Sequence, residues 1–186
     1  IRTESKNGGV VVDGSHLKKT TAKLEELLTL PGTVPVAFRS SLILEGEEAF
    51  EKEIERCVAE EEKILQSGQT AVCYTERTVI SLENDTKESA LLRSVRISDG
   101  VRQLVGRLQS EPSFIVAKGG ITSSDVATKA LGVRRAEVMG QIRPGIPVWK
   151  TDEESRFPGI PYVIFPGNVG EVTTLKEAVQ ILMGVQ

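Results

Sequence analysis

Short apolar runs alternate with longer amphipathic stretches along the chain. The apolar runs stop at glycine, proline or small polar residues, which is typical of strands that end in turns. In the amphipathic stretches apolar residues recur every three or four positions, which predicts helices with one buried side. We expect strands over residues 10–12, 34–38, 42–44, 70–75, 114–117, 137–142, 147–149 and 162–165. We expect helices over about residues 17–28, 50–65, 87–108 and 124–131, and a last one from Thr174, which has capping-box spacing with Glu177.

The strand predicted at residues 114–117 is apolar at every position. A run this short suits a strand that is buried on both faces of a parallel sheet. Strands and helices alternate along the chain, and no internal repeat or long linker divides it. We therefore predict a single α/β domain of three layers, in which a mainly parallel β-sheet carries helices on both faces.

Three predicted strands run into a small-residue turn that leads to a helix. The turns contain Gly14-Ser15, the run Gly119-Gly120-Ile121-Thr122, and Gly167-Asn168. In open α/β sheets ligands bind outside the carboxyl ends of the strands, so we expect these turns to meet in one crevice. Glycine lets the backbone approach a phosphate closely, and the helix start that follows offers unpaired N–H groups. The alternative is that the glycines only turn the chain.

The turn after residues 114–117 has the strongest anion-binding pattern. Its glycine pair frees the backbone, and the hydroxyls of Thr122, Ser123 and Ser124 add hydrogen-bond donors. Strand alternation allows the Lys118 side chain to point either toward this turn or away from it. The alternative is that Ser123 or Ser124 only caps the helix.

Composition limits the class of partner. The chain has 186 residues, with 26 acidic and 23 basic side chains and a formal net charge of -3, which argues against a general nucleic-acid binder. No apolar run approaches the roughly 18–20 residues of a membrane helix, and no signal-peptide pattern opens the sequence. Cys57 and Cys73 are too few for a disulfide framework, so we expect a cytoplasmic protein with both cysteines in the core. The first residue is Ile1, not methionine, so we expect a piece of a longer chain.

Few side chains stand out as catalytic groups or metal ligands. The chain has neither a P-loop nor a G-x-G-x-x-G motif after a strand, and its single histidine, His16, excludes a multi-histidine metal site. We expect His16 to be a turn or helix-start residue and the acidic run at residues 60–62 to be a solvated helix face. Trp149 and Phe157 are expected in the core, not against a base or sugar. The residues alone identify no catalytic group and no metal ligand.

Several segments of the chain carry a family resemblance. They are residues 118–129 (KGGITSSDVATK), 131–136 (LGVRRA), 140–150 (GQIRPGIPVWK) and 165–171 (FPGNVGE), together with VDGS at residues 12–15. Through them the chain resembles the C-terminal nucleotide-binding domain of the four-carbon acid sugar kinase family. The match is dense between about residues 115 and 171 and looser from residue 5 to residue 108.

The resemblance implies an ATP-dependent kinase that phosphorylates a hydroxyl of a sugar acid such as threonate, erythronate or 3-oxo-tetronate. It implies that ATP binds together with Mg2+. The residues that would contact ATP are Ser15, Gly119, Gly120, Ile121, Thr122 and Gly167. Ile121 stands where many relatives carry an acidic residue, and Asp125 is the nearest carboxylate that could replace it. In the family a separate N-terminal domain holds the sugar acid. This chain lacks that domain, so we expect the catalytic base to lie outside it and the piece alone to be inactive.

Other readings of the chain remain open. One is a non-catalytic module that binds a nucleotide or phosphosugar within a larger multidomain protein. Another is a structural or interaction domain, which predicts that no ligand binds the glycine turns and that Gly120→Val affects only stability. The family resemblance also leaves a homodimer possible.

Overall fold

Seven strands form one β-sheet in the computed structural model, which describes residues 6–14, 18–76, 82–167 and 169–185. The strands are β1 (Val10–Asp13), β2 (Thr33–Phe38), β3 (Thr70–Thr75), β4 (Ile115–Lys118), β5 (Glu137–Arg143), β6 (Ile146–Lys150) and β7 (Pro161–Phe165). The helices are α1 (Lys18–Leu27), α2 (Glu47–Gln66), α3 (Lys87–Gly106), α4 (Gly120–Asp125) and α5 (Thr174–Met183), with a 3-10 helix over Ser40–Glu45 and a π-helical turn over Val126–Ala130 that continues α4. No helix in the described ranges is both long enough and apolar enough to cross a lipid bilayer.

The strands lie side by side in the order β2-β3-β1-β4-β7-β6-β5. β1, β2, β3, β4 and β7 pair in parallel with one another, whereas β6 pairs antiparallel with both β7 and β5. The prediction of a mainly parallel sheet is therefore confirmed. Because β1, β4 and β7 are adjacent and parallel, their carboxyl ends meet at one edge of the sheet.

Helices cover both faces of this sheet. On one face α2, α3 and the π-helical turn pack against Val10 and Val12 of β1, and on the other face α1 and α5 pack against Val11. β4 is buried at all four positions, as predicted for a central strand with helices on both sides. Phe157 is buried in the core on the α2 and α3 face of the sheet. Trp149 is partly buried and packs against the same core, so both are core residues as predicted. The three-layer architecture is confirmed.

One predicted strand, at residues 42–44, is instead part of the 3-10 helix over Ser40–Glu45. The preceding strand, β2, is an edge strand, so no described strand lies beside this segment to pair with it. The Leu42 amide donates to the Arg39 carbonyl at 3.1 Å, in a turn that leads the chain into α2. A short apolar run does not by itself distinguish a strand from a helical turn, and it was the only signal available there.

The start of α5 is predicted correctly, but its capping box is not present. The Thr174 hydroxyl accepts a hydrogen bond from the amide of Glu171, which precedes the helix, at 2.8 Å. The Glu177 carboxylate forms an ion pair with Arg143 of β5 at 3.1 Å. These two residues therefore tie α5 to the preceding loop and to the sheet instead of to each other.

The acidic run at residues 60–62 is not the solvated face that its composition predicts. Glu61 is fully buried and accepts a hydrogen bond from Cys73 Sγ of β3 at 2.6 Å, while its Oε2 atom has no partner in the described structure. Helical periodicity is the cause, since Glu61 lies four residues after Cys57 on the side of α2 that faces the sheet. Burial raises the pKa of the Glu61 carboxyl to about 8. Cys57 and Cys73 are buried free thiols, as predicted.

Replacing Glu61 by Gln should make the stability of the protein less dependent on pH. The carboxyl ionises near its ordinary pKa of 4.5 in the unfolded chain, but it stays protonated up to about pH 8 in the folded chain. The wild-type free energy of unfolding should therefore fall between about pH 5 and about pH 8, by up to about 1.4 kcal/mol per pH unit from this group, and level off at higher pH. Urea unfolding at several pH values measures this slope.

Glu55→Gln, on the exposed side of the same helix, is the matched control and should retain the wild-type slope. An equal slope in wild-type protein and Glu61→Gln would show that Glu61 does not titrate in this range.

Candidate functional site

The three glycine turns lie at one edge of the sheet. Strand register places Asp13, Lys118 and Phe165, the last residues of β1, β4 and β7, side by side. The Gly119 amide donates to the Phe165 carbonyl at 3.1 Å, which joins the second turn to the third. Of the residues predicted here, the structure describes Gly14, Gly119, Gly120, Thr122 and Gly167 and the backbone of Ile121, whereas Ser15, His16 and Asn168 lie outside the described residues.

The first two turns approach each other through a glycine and a threonine. A Cβ atom on Gly14 would lie 2.4 Å from Thr122 Oγ1, well inside van der Waals contact. Gly14 does not have a left-handed backbone, so the close approach, and not the backbone conformation, requires glycine there. The Thr122 side chain therefore packs against the backbone of the turn that follows β1.

Hydrogen bonds within the second turn hold its shape. Gly119 has a φ of +104°, and its carbonyl accepts from the Ser123 amide at 2.9 Å. The Ser123 hydroxyl lies 2.6 Å from that carbonyl and 3.1 Å from the Ala117 carbonyl, while the Tyr162 hydroxyl donates to the Ser123 carbonyl at 2.5 Å. As a result α4 begins at Gly120, four residues earlier than predicted. The buried Ser123 hydroxyl is engaged by the fold, so the prediction that it serves as a ligand donor is wrong.

Two glycines at this edge face open space. A Cβ atom on Gly120 or Gly167 would have no described atom within 4 Å, and neither residue has the left-handed backbone that favours glycine. In the part of the chain that the structure describes, packing and conformation therefore give no reason for glycine at these positions. Gly120 also lies in the first turn of α4, where backbone N–H groups lack acceptors within the helix. The backbone is accessible at both places, and this arrangement suits an anionic ligand.

Two oppositely charged residues end the central strands beneath these turns. Asp13 and Lys118 are register partners, and both are fully buried. Val11 and Val116, two residues earlier on each strand, face the α1 and α5 side of the sheet. Because side chains alternate along a strand, the Asp13 and Lys118 side chains also lie on that side. Lys118 therefore points into the layer between the sheet and helices α1 and α5. Opposite charges on neighbouring strands reduce the cost of burying each of them.

Helix α1 contributes a third charged group, Lys23, which the sequence pattern did not single out. Lys23 is only 7% exposed, and its Nζ donates to the Val169 carbonyl at 2.8 Å and lies 5.5 Å from the centre of the Phe165 ring. Burial lowers the pKa of Lys23, and the nearby Glu171 carboxylate partly offsets that effect. Lys23 thereby ties α1 to the turn that follows β7. Helical spacing could not identify it, because α1 has three lysines and only packing decides which is buried.

Asp125 does not supply a carboxylate to this edge. It forms an ion pair with Lys129 at 3.2 Å and lines a groove between α4 and α3. Within the described ranges no three His, Cys, Asp or Glu side chains cluster in a way that suits a metal ion. The edge thus offers backbone N–H groups and a threonine hydroxyl to a ligand, with two lysines buried beneath them, and the exposed groups are suited to binding phosphate.

A family model described as the nucleotide-binding C-terminal domain matches residues 10–175. The chain belongs to this family. The matched range contains all three glycine turns. The expectation of a nucleotide-binding domain, which the resemblance implied, is therefore confirmed at the level of the family.

Solved structures with the fold of this nucleotide-binding domain are longer proteins. One is a domain of unknown function from Bordetella bronchiseptica, solved as a domain-swapped dimer with bound citrate; it is 19% identical, with a TM-score of 0.69 over 97% of this chain and 42% of that one. Another is a putative tRNA synthase from Salmonella typhimurium LT2, 17% identical, with a TM-score of 0.68 over 97% and 41% of the two chains. At these identities the likeness shows the fold alone, and the chain spans about two-fifths of each. No curated protein matches significantly.

Gly14→Ala should destabilise the domain, because the added methyl group overlaps Thr122 Oγ1. Overpacking of this kind typically costs about 1–3 kcal/mol. In a Thr122→Ala background the overlapping hydroxyl is gone, so the same change should cost much less. Urea unfolding of the wild-type protein, both single variants and the double variant measures the coupling. Equal costs of Gly14→Ala in the two backgrounds would contradict a contact between the turns.

Proposed function

We propose that this domain binds ATP at the carboxyl edge of β1, β4 and β7, as the nucleotide-binding half of a kinase that phosphorylates a hydroxyl of a four-carbon sugar acid. The observation that carries the proposal is the space over Gly120 and Gly167 that the described residues leave open, on turns from two adjacent strands of a chain in a nucleotide-binding family. The resemblance to sugar-acid kinases supplies the acceptor class, of which threonate, erythronate and 3-oxo-tetronate are the examples.

The triphosphate would lie along the glycine turns. Within the second turn, Gly119 directs the chain into α4, and the N–H groups from Gly120 to Thr122, including that of Ile121, would donate to phosphate oxygens. Gly167 would allow a second close approach of backbone to ligand. Ser15, at the end of the first turn, is the remaining contact that we propose.

Buried lysines would favour an anion at this edge. Lys118 lies beneath the second turn, and Lys23 holds the third turn through the Val169 carbonyl. The Asp13 carboxylate beside Lys118 offsets part of this positive charge, and the remainder would raise the local potential for a negatively charged ligand. Lys23 would act as a positioning residue, because its ammonium group is engaged with the protein.

A magnesium ion would be bound together with the nucleotide. Mg2+ in such sites usually keeps several waters and is held by substrate phosphates and one or two carboxylates. Asp13, at the end of β1, is a carboxylate near this edge, but it is fully buried beside Lys118, so phosphate oxygens and waters would hold the ion. When bound, Mg2+ would offset the charge of the transferring phosphoryl group.

The domain would position ATP, and the rest of the enzyme would supply the acceptor. Phosphoryl transfer depends mainly on positioning and charge stabilisation, with one group to orient or deprotonate the acceptor hydroxyl. We place that group, and the sugar acid, in another domain, and take residues 1–186 as the nucleotide-binding domain alone. The solved structures of the same fold, more than twice as long as the matched part, have room for such a domain. A cytoplasmic location fits the two free thiols, Cys57 and Cys73.

Isothermal titration calorimetry with ATP and ADP, with and without Mg2+, tests the nucleotide site. We expect saturable binding by the wild-type chain and at least about tenfold weaker binding by Gly120→Ala, a loss of about 1.4 kcal/mol. The physical reason is that the added methyl group takes the open space through which a phosphate would approach. The fold should tolerate it, since that Cβ atom contacts nothing within 4 Å.

Gly106→Ala is the matched control for this experiment. Gly106 is also helical, and a Cβ atom there would lie 3.6 Å from Ala130, an ordinary contact near the end of α3. This variant should keep the wild-type affinity, and thermal unfolding should show that both variants fold.

The full-length protein distinguishes a kinase from a binding module. It is assayed for ADP release with ATP, Mg2+ and each of the three sugar acids. ADP release with one acid supports the kinase, and nucleotide binding without release for any acid supports a non-catalytic module. Absence of nucleotide binding by both this chain and the full-length protein would contradict the proposal and leave a structural or interaction domain.

A further inference from the structure

The end of β3 holds a buried hydroxyl that nothing in the described part of the chain engages. Thr75 is 1% exposed, and its Oγ1 atom has no hydrogen-bond partner among the described residues. A hydroxyl without a partner in the interior costs free energy, because water can no longer solvate it. Most buried polar side chains in folded proteins do have a partner, so the exception at Thr75 needs an explanation.

Strand register places Thr75 beside the first glycine turn. Asp13 of β1 is aligned with Tyr74 of β3. The next residues along the two strands, Gly14 and Thr75, are therefore neighbours at the carboxyl edge, at the strand spacing of about 4.8 Å. Cys73, two residues earlier on β3, belongs to the core on the α2 and α3 face, so the Thr75 side chain points to that face as well.

Thr122 approaches the same place from α4. Its Oγ1 atom lies 2.4 Å from the position that a Cβ atom on Gly14 would occupy. That position is on the α2 and α3 face too, because Val12, two residues before Gly14, belongs to the same core. Two hydroxyl groups, from β3 and from α4, thus lie next to Gly14 on one face of the sheet. A single oxygen atom that bonds to both would bridge hydroxyls up to about 5.5 Å apart, which is close to the strand spacing.

We propose that the Thr75 hydroxyl is a further contact for the nucleotide and donates a hydrogen bond to the phosphate group that also binds Thr122. This inference rests on the proposed function and extends its site from three strands to four. Gly14 has no side chain to block the approach, and the Thr122 side chain is only partly buried. Rotation of Thr122 about its Cα–Cβ bond would open the path from the phosphate to Thr75.

A ligand contact explains why the fold keeps this hydroxyl without a partner. Its desolvation cost is already present in the ligand-free protein, so a hydrogen bond to a charged phosphate oxygen would contribute strongly to binding. Thr151, at the opposite edge of the sheet, shows the contrast. It is also buried, but its hydroxyl donates to the Phe157 carbonyl at 2.6 Å and accepts from the Ile160 amide at 3.0 Å.

Replacing Thr75 by Val distinguishes a ligand contact from a structural role. Val has a similar shape but no hydroxyl, so the urea midpoint of the ligand-free chain should stay the same or rise. The affinity for ATP with Mg2+, measured by isothermal titration calorimetry, should fall about tenfold or more, because a hydrogen bond to a charged oxygen is lost. Thr75→Ser keeps the hydroxyl and should bind ATP nearly as well as the wild-type chain.

Thr151→Val is the matched control, because it removes a buried hydroxyl that the fold engages. It should lower the urea midpoint and leave the ATP affinity unchanged. Thr122→Val, alone and combined with Thr75→Val, tests whether one phosphate group contacts both hydroxyls. The loss of affinity in the double variant should then be smaller than the product of the two single losses. Independent losses that multiply fully would contradict a shared phosphate group.

Wild-type affinity in Thr75→Val overturns the inference and leaves the proposed function standing. A lower urea midpoint for Thr75→Val, or failure of this variant to fold, also overturns it, because the hydroxyl would then have a partner in the ligand-free protein. The titrations use the full-length protein if the chain alone does not bind ATP. Absence of nucleotide binding by both wild-type proteins contradicts the proposed function itself, and the Thr75 contact with it.

Discussion

The parallel pairing of β1, β4 and β7 is the constraint on which the candidate site depends. Each strand ends in a glycine turn, and the register aligns Asp13, Lys118 and Phe165, so the three turns leave the sheet side by side. Alternating burial on two faces holds this register, because a slip of one residue would turn every side chain to the opposite face. A slip of β4 would move Ile115 and Ala117 out of one helical layer and Lys118 out of the other.

The glycines at this edge have different physical roles. Gly14 leaves room for Thr122, and Gly119 adopts a backbone conformation that other residues rarely take, so both are explained by the fold. For Gly120 and Gly167 neither reason applies, and both face space that the described residues leave open. A rigid turn with accessible backbone N–H groups needs little reorganisation when a ligand binds, which is an advantage for affinity. The fold therefore separates glycines that build the turns from glycines that keep them accessible.

Buried charges occur at the candidate site and also far from it. Asp13, Lys118 and Lys23 lie at or beside the carboxyl edge, beneath the turns where we propose that the nucleotide binds. Glu61 lies between α2 and β3, and its carboxylate accepts a hydrogen bond from the Cys73 thiol. Burial of such groups is weak evidence for stability, because desolvation opposes the gain from each contact. At the edge, the proposed nucleotide site would give a reason for buried charge. For Glu61 the raised pKa gives a different answer, because the buried carboxyl stays neutral up to about pH 8.

Periodicity along the sequence determined most of the strands and helices, the three-layer fold and the convergence of the three glycine turns, because these depend on which positions are apolar and how they are spaced. It placed residues 42–44 in a strand, since a short apolar run does not reveal whether a neighbouring strand is available. Only the tertiary structure decided that Glu61 is buried, that Lys23 holds the turn after β7, and that Ser123 is engaged within its own turn. Each of these depends on contacts between segments distant in the chain or on the exact path of a turn. Local composition carries no information about such contacts, so packing alone determined them.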